Sequence, residues 1–173
     1  GGLDLVPSTV DLAGADIEML EVARHEYVLK KKIRKISDRY DYILIDCPPS
    51  LNLLTVNALT AADSVLVPIQ CEFYAMEGLT QLMHTIQLVQ RKLNPSLEID
   101  GIVFTMFDVR TNLSQQVVDS VREYLHEHVY ESIIPRNVRL AEAPSHGMSI
   151  LEYEPRSAGA VAYRKLAEEV ISR

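Results

Sequence analysis

Four stretches of the chain are apolar at consecutive rather than alternating positions: YILID (42–46), SVLVPIQ (64–70), IDGIVFTMF (99–107) and YESIIP (130–135). Runs of this kind predict strands covered on both faces, as in a parallel sheet sandwiched by helices. The segments between them carry the helical period. LLTVNALTAA (53–62) is short, whereas YAMEGLTQLMHTIQLVQRKL (74–93) sets Met76, Leu79, Leu82, Met83, Ile86, Val89 and Leu93 on one face. SQQVVDSVREYLHEHV (114–129) repeats the design with Val117, Val118, Val121 and Leu125, and Ser114 or Asn112 is available to cap its start. An early helix over roughly Gly14 to Asp38 and a last one over Ala158 to Ile171 complete the series. The alternation predicts a single α/β domain over residues 1–173, a doubly wound, mostly parallel sheet with helices on both faces.

Composition narrows the function classes. With 173 residues and 47% apolar content the chain can bury one substantial core. A net charge of −7 points away from nucleic acid, because phosphate binding needs clustered Lys and Arg. The distribution changes that picture, since Arg136, Arg139, Arg156, Arg164 and Lys165 gather in the last third. The run Lys30-Lys31-Lys32 with Arg34 and Lys35 reads as a solvated helix face that also complements the helix dipole. Cys47 and Cys71 form no CxxC or Cys/His cluster and read as small hydrophobes of a reducing compartment. No apolar run reaches the ~20 residues of a membrane span, and GGLDLVPSTV lacks the pattern of a signal peptide, so the expected address is cytoplasmic. The chain opens without Met, which fits a fragment, a processed product or a tagged form.

The chemistry concentrates in a few places. Asp46 closes the run Ile43-Leu44-Ile45, and Pro48-Pro49 then stop it. A carboxylate at the carboxyl end of a buried strand either holds Mg²⁺ beside a nucleotide phosphate, as in the Walker B motif of P-loop NTPases, or merely caps the strand. The matching phosphate loop, GxxxxGK[ST], is absent: none of the seven glycines is followed by Lys. His25, His84, His126, His128 and His146 do not share faces at ligand spacing, and no G-x-S-x-G elbow is present. The segment IPRNVRLAEAPSHG (134–147) leaves a strand as an irregular loop held by Pro135 and Pro144 and carrying Arg136 and Arg139; FDVRTNLSQQ (107–116) similarly presents Arg110 before a helix.

Five collinear blocks, LDLVPSTVDLAGADIEM, YDYILIDCPPSLNLLTVNAL, VLVPIQCEFYAMEGLTQL, TMFDVRTNLSQQVVDSVRE and IPRNVRLAEAPSHGMSILEYEPRSAGAVAYRKLAEEV, together resemble the ParA/Soj family of chromosome- and plasmid-partitioning ATPases, which have a deviant Walker A motif. The resemblance spans nearly the whole chain. It implies a cytoplasmic, nucleoid-associated P-loop NTPase that forms an ATP-sandwich homodimer, binds DNA without sequence preference and is stimulated by a ParB-like partner. On this resemblance Asp46 is the Mg²⁺-supporting Walker B aspartate, Thr105 lies near the adenine, and Pro135 with Asn137 line the base pocket. Arg110, Arg139 and Arg156 are the DNA-backbone contacts.

The family's opening strand and KGGVGKT-like loop have no counterpart here, so the chain corresponds to an N-terminally truncated family member. ATP and Mg²⁺ are then expected of the parent protein rather than of these residues alone. Two other readings stay open: a DNA- or partner-binding module without catalysis, and a MinD-like ATPase attached to membrane by its C-terminal helix. The tail YRKLAEEVISR mixes acids into its polar face, which suits packing on a sheet better than lying in lipid.

Overall fold

The computed structural model describes residues 2–48, 52–125 and 128–173. Its elements are α1 (Ala15–Glu18), α2 (Val28–Ile33), α3 (Leu53–Ala61), β1 (Ser64–Gln70), α4 (Ala75–Lys92), β2 (Glu98–Phe107), α5 (Asn112–Leu125), β3 (Val129–Pro135), α6 (Val138–Glu142), α7 (Ile150–Tyr153) and α8 (Ala158–Ser172). Two compact units emerge, Gly1–Ser64 with His84–Glu98, and Val65–Met83 with Ile99–Arg173.

The second unit is built on a sheet of order β1-β2-β3, with β3 running parallel to β2. Consecutive residues of β2 enter opposite cores, as two-sided burial requires. Ile102 and Phe104 pack with Val67 and Ile69 of β1, Leu79 of α4 and Val117, Val118 and Val121 of α5. Val103 packs the other way, with Tyr130 and Ile134 of β3 and Leu166 of α8. Helices therefore cover both faces of the sheet, the arrangement that unbroken apolar strands demand. The register between β2 and β3 slips twice, once between Ile102/Val129 and Phe104/Ile133 and again before Phe107/Pro135. At the first slip the freed N–H groups of Glu131 and Ser132 donate to the Glu169 carboxylate of α8, at 2.7 and 3.0 Å. Burial pushes the Glu169 carboxyl up, but these hydrogen bonds and Arg173 outweigh it and hold it below its ordinary value.

The first unit is helical. Its interior is tied by two buried asparagines. The Asn57 side chain donates to His25 O and Leu53 O at 2.9 and 3.1 Å and accepts the Leu29 N–H at 3.1 Å. That of Asn94 donates to Leu59 O and Ala62 O at 3.0 and 2.7 Å. Such amides satisfy backbone groups that an apolar side chain would leave orphaned.

Two expected elements differ. Residues 42–46 are not a strand: Leu44 is 91% exposed and Asp46 is exposed as well. An apolar run becomes a strand only where neighbours take up its N–H and C=O groups, and no described strand does so here. The early helix is broken into short pieces. Val22 is extended, Arg24 is left-handed at φ 58°, and Ile17 and Leu20 stay exposed. Isolated helical turns without a buried face do not propagate.

The predicted start of α5 also needs correction: Thr111 Oγ1 accepts the Ser114 N–H at 3.4 Å, so Thr111 takes the capping place assigned to Ser114 or Asn112. Segment 134–147 is ordered rather than irregular. The Asn137 side chain caps α6 by accepting the Arg139 N–H at 2.8 Å, and Gly147 closes the following turn at φ 65°. Pro49 and His126 lie outside the described residues.

Candidate functional site

In the second unit the chain leaves β1, β2 and β3 at one edge, and backbone hydrogen bonds bind the three exits together. The Cys71 N–H donates to Thr105 O at 3.2 Å and the Arg136 N–H to Phe107 O at 2.8 Å. Thr105 Oγ1 donates back to Ile69 O at 3.2 Å. Met106 sits at the second register slip in the left-handed region, φ 55°, where a side chain is disfavoured. That bulge re-aims the chain so that Asp108 to Thr111 form a tight loop ahead of α5.

A hollow of about 200 Å³ opens at this edge, with Cys71, Met106, Asp108, Ser114 and Arg136 among its walls. Burial pushes the Cys71 thiol up to about 11, so at neutral pH it is a protonated wall of the hollow rather than a nucleophile. A second, open hollow of about 440 Å³ lies between β3 and α8, where Phe107, Ile133, Pro135, Val161 and Lys165 face it.

The arginines of this edge fall into two kinds. The Arg110 guanidinium grips the Asp108 carboxylate with both arms, Nε to Oδ1 at 2.9 Å and Nη2 to Oδ2 at 2.7 Å, and its own N–H adds a bond of 3.0 Å. These hydrogen bonds hold the Asp108 carboxyl well below the usual carboxylate range, with Arg136 adding a smaller pull. Arg139 Nη1 reaches Glu142 Oε2, one helical turn on, at 2.7 Å. Glu142 also accepts the Tyr153 hydroxyl at 3.4 Å, and the Tyr153 ring stacks on His146. Arg136 and Arg156, by contrast, are exposed and make no ion pair among the described residues. Asp108 and Glu142 were not anticipated, although the spacings Asp-x-Arg and Arg-x-x-Glu carry the signal.

Thr105, Arg110, Pro135, Asn137, Arg139 and Arg156 belong to the second unit, whereas Asp46 belongs to the first. No glycine precedes a lysine, and among the described residues no three His, Cys, Asp or Glu cluster to hold a metal. No described helix is long and apolar enough to cross a membrane.

A family model described as an AAA domain matches residues 1–99. The sporulation initiation inhibitor protein Soj of Bacillus subtilis is 55% identical over 168 residues, covering 97% of this chain and 66% of its own length. The chromosome partitioning protein ParA of Caulobacter vibrioides is 56% identical over 174 residues, covering 99% of this chain and 65% of its own. The chain belongs to the ParA/Soj family of chromosome-partitioning ATPases. It spans about two thirds of the length of these family members. The fold agrees with that of cobyrinic acid a,c-diamide synthase from Mycobacterium smegmatis, solved with bound ADP and magnesium, at TM-score 0.76 and 38% identity over 95% of this chain and 60% of that one.

Proposed function

We propose that this chain is the DNA-contacting and base-side portion of an ATP-dependent partitioning protein that moves or positions chromosomal or plasmid DNA. The observation that carries the proposal is the edge of the second unit, where Arg110 and Arg136 follow strand ends on short connections and Arg139 opens α6, each fixed by local hydrogen bonds. Exposed cations held at such an edge suit a phosphate backbone, because guanidinium groups match phosphate geometry and the contacts read no base. Arg156, exposed in the turn before α8, adds to the same charge.

In this reading Asn137 serves the base side: its carbonyl oxygen is committed to capping α6, which leaves the amide NH₂ to donate to a ring nitrogen. Thr105 acts through its backbone and shape, since its hydroxyl is spent on β1. Pro135 supplies an apolar wall. Asp46 supports Mg²⁺ in the whole protein, where a phosphate loop from elsewhere would supply the donors that these residues lack. An ATP-bound homodimer, a ParB-like partner that stimulates hydrolysis, and residence on the nucleoid in the cytoplasm complete the proposal.

The packing of α8 favours this reading over a membrane-anchored one. Leu166, Ala162 and Val170 spend the apolar face of the helix against β3, leaving no large apolar stripe for lipid. A DNA- or partner-binding module without catalysis is the other alternative.

Turnover of Mg·ATP and retention of random-sequence DNA separate these readings. The full-length protein is expected to do both, and to lose DNA retention on Arg110→Ala and Arg139→Ala. The 173 residues alone are expected to show no turnover. Full-length protein that retains DNA but never hydrolyses ATP would establish the non-catalytic module instead.

A further inference from the structure

We propose that Asp108 and Glu142 are built-in counter-ions, each occupying an arginine of the DNA-contacting edge until a phosphate takes its place. The inference rests on the reading of Arg110 and Arg139 as DNA contacts. It adds that both are self-neutralised in the free protein and that the two acids set affinity and salt dependence.

The two pairs share a design. In each, the acid is anchored and the arginine is the accessible member. The Asp108 side chain is 13% exposed while that of Arg110 is 81% exposed. The loop beneath Asp108 is locked on three sides: its N–H donates to Ser114 Oγ at 3.3 Å, Thr111 Oγ1 donates to its carbonyl at 3.1 Å, and the Thr111 and Ser114 hydroxyls are 2.9 Å apart. Glu142 is likewise held, accepting from the Tyr153 hydroxyl as well as from Arg139. A carboxylate gripped by both arms of a guanidinium presents the same pair of oxygens that a phosphate presents. Asp108 is therefore a local mimic of the ligand, and Glu142, held by Arg139 Nη1 alone, offers one of its oxygens in the same way.

Such exposed pairs are weak and screened by salt, so they exchange readily for a denser polyanion. They are not a lock. Their effect is to subtract from binding, because an arginine that moves to a phosphate leaves behind a carboxylate that must recruit a solution cation. That uptake cancels one of the counter-ions the DNA releases. Arg156, which makes no ion pair among the described residues, and Arg136, which feels the Asp108 carboxylate only at longer range, make first contact. The result is an edge that binds DNA weakly enough to let go, on a chain whose net charge of −7 already opposes binding.

The test uses full-length protein and a random-sequence DNA duplex across a salt series. Asp108→Asn retains the oxygen that accepts the Arg110 N–H, and Glu142→Gln retains the acceptor for Tyr153, so both variants keep the loop geometry; thermal melts check this. Each is expected to raise affinity about threefold at low salt and to steepen the slope of log K against log salt by about one. Asp108→Asn placed on an Arg110→Ala background should give no gain, which separates a specific counter-ion from general relief of negative charge. If the single substitutions leave affinity and slope unchanged while Arg110→Ala and Arg139→Ala still weaken binding, the counter-ion role is overturned and the DNA-binding reading stands. If the arginine variants bind DNA as the parent does, the DNA-binding reading fails and this inference with it.

Discussion

The Arg173 guanidinium lies over the ring of Tyr130, 3.9 Å from its centre. Its two arms donate to Asp100 O at 2.7 Å and Val129 O at 3.2 Å, while the Tyr130 hydroxyl donates to the Asp100 carboxylate. This clamp closes the end of α8 over β2 and β3. Arg173→Ala removes a cation–π contact and two hydrogen bonds and is expected to cost about 1–2 kcal/mol, read as a lower denaturant midpoint at unchanged slope. The burial of Tyr130, with Asp100 beside it, also raises its phenol above the ordinary value. A raised folded value means stability that is present below the unfolded value and lost above it. Stability should therefore fall as pH climbs past about 10, and Tyr130→Phe should flatten that alkaline fall.

At the opposite end of the pH scale the pair Asp108–Arg110 contributes. The Asp108 carboxyl is depressed by its hydrogen bonds to Arg110, so its contribution is present above the ordinary carboxylate value and lost as pH falls below it. Denaturant midpoints measured from about pH 5 down to pH 2 should decline less steeply in Asp108→Asn than in the parent. An identical acid limb in both would show that Arg110 does not discriminate the charged carboxylate.

Gly159, in the first turn of α8, meets α6 too closely for any side chain. A Cβ there would lie 2.6 Å from Leu140 Cγ and 2.9 Å from Leu140 Cδ1. Gly159→Ala must displace the Leu140 side chain and strain its seat in α6, at a cost of about 1–3 kcal/mol. Because α6 carries Arg139, the same variant should weaken DNA retention beyond what its lower stability at the assay temperature explains. A companion change, Leu140→Ala, makes room for the new methyl and should recover part of both losses.

In the first unit Asn94 is 2% exposed and holds two carbonyls at the end of α3. Asn94→Leu would leave Leu59 O and Ala62 O without their donor, and about 2–4 kcal/mol of stability should go with it. Amide hydrogen exchange over α3 should accelerate in the variant. Unaltered exchange there would mean that other groups satisfy these carbonyls.

Much of the strand and helix pattern was legible in the sequence because its signals are local. The runs 64–70 and 99–107 are strands within a residue of expectation, and the periodic face of 74–93 is α4, with Leu79, Ile86 and Val89 buried. Period and composition suffice there, because each element has a neighbour to bury against. The run 42–46 carries the same apolar signal as 64–70 and is not a strand, since pairing is a property of two segments and not of one. Segment 134–147 looked irregular because two prolines mask a helix whose cap, Asn137, shows only in its hydrogen bond to Arg139.

The sequence by itself determined the α/β alternation, the two-sided burial of β2 and the family, since these are carried by residue order and by spacings of a few positions. Only the tertiary structure decided which charges are free. The spacings Asp-x-Arg and Arg-x-x-Glu permit a pair at Arg110 and at Arg139, yet that both close, while Arg136 makes no ion pair among the described residues, is decided by the fold. The physical reason is that an ion pair depends on side-chain reach and loop geometry at the scale of an ångström. Those are fixed by the Met106 bulge, the Thr111 and Ser114 hydroxyls and the Asn137 cap acting together, not by any one residue's place in the chain.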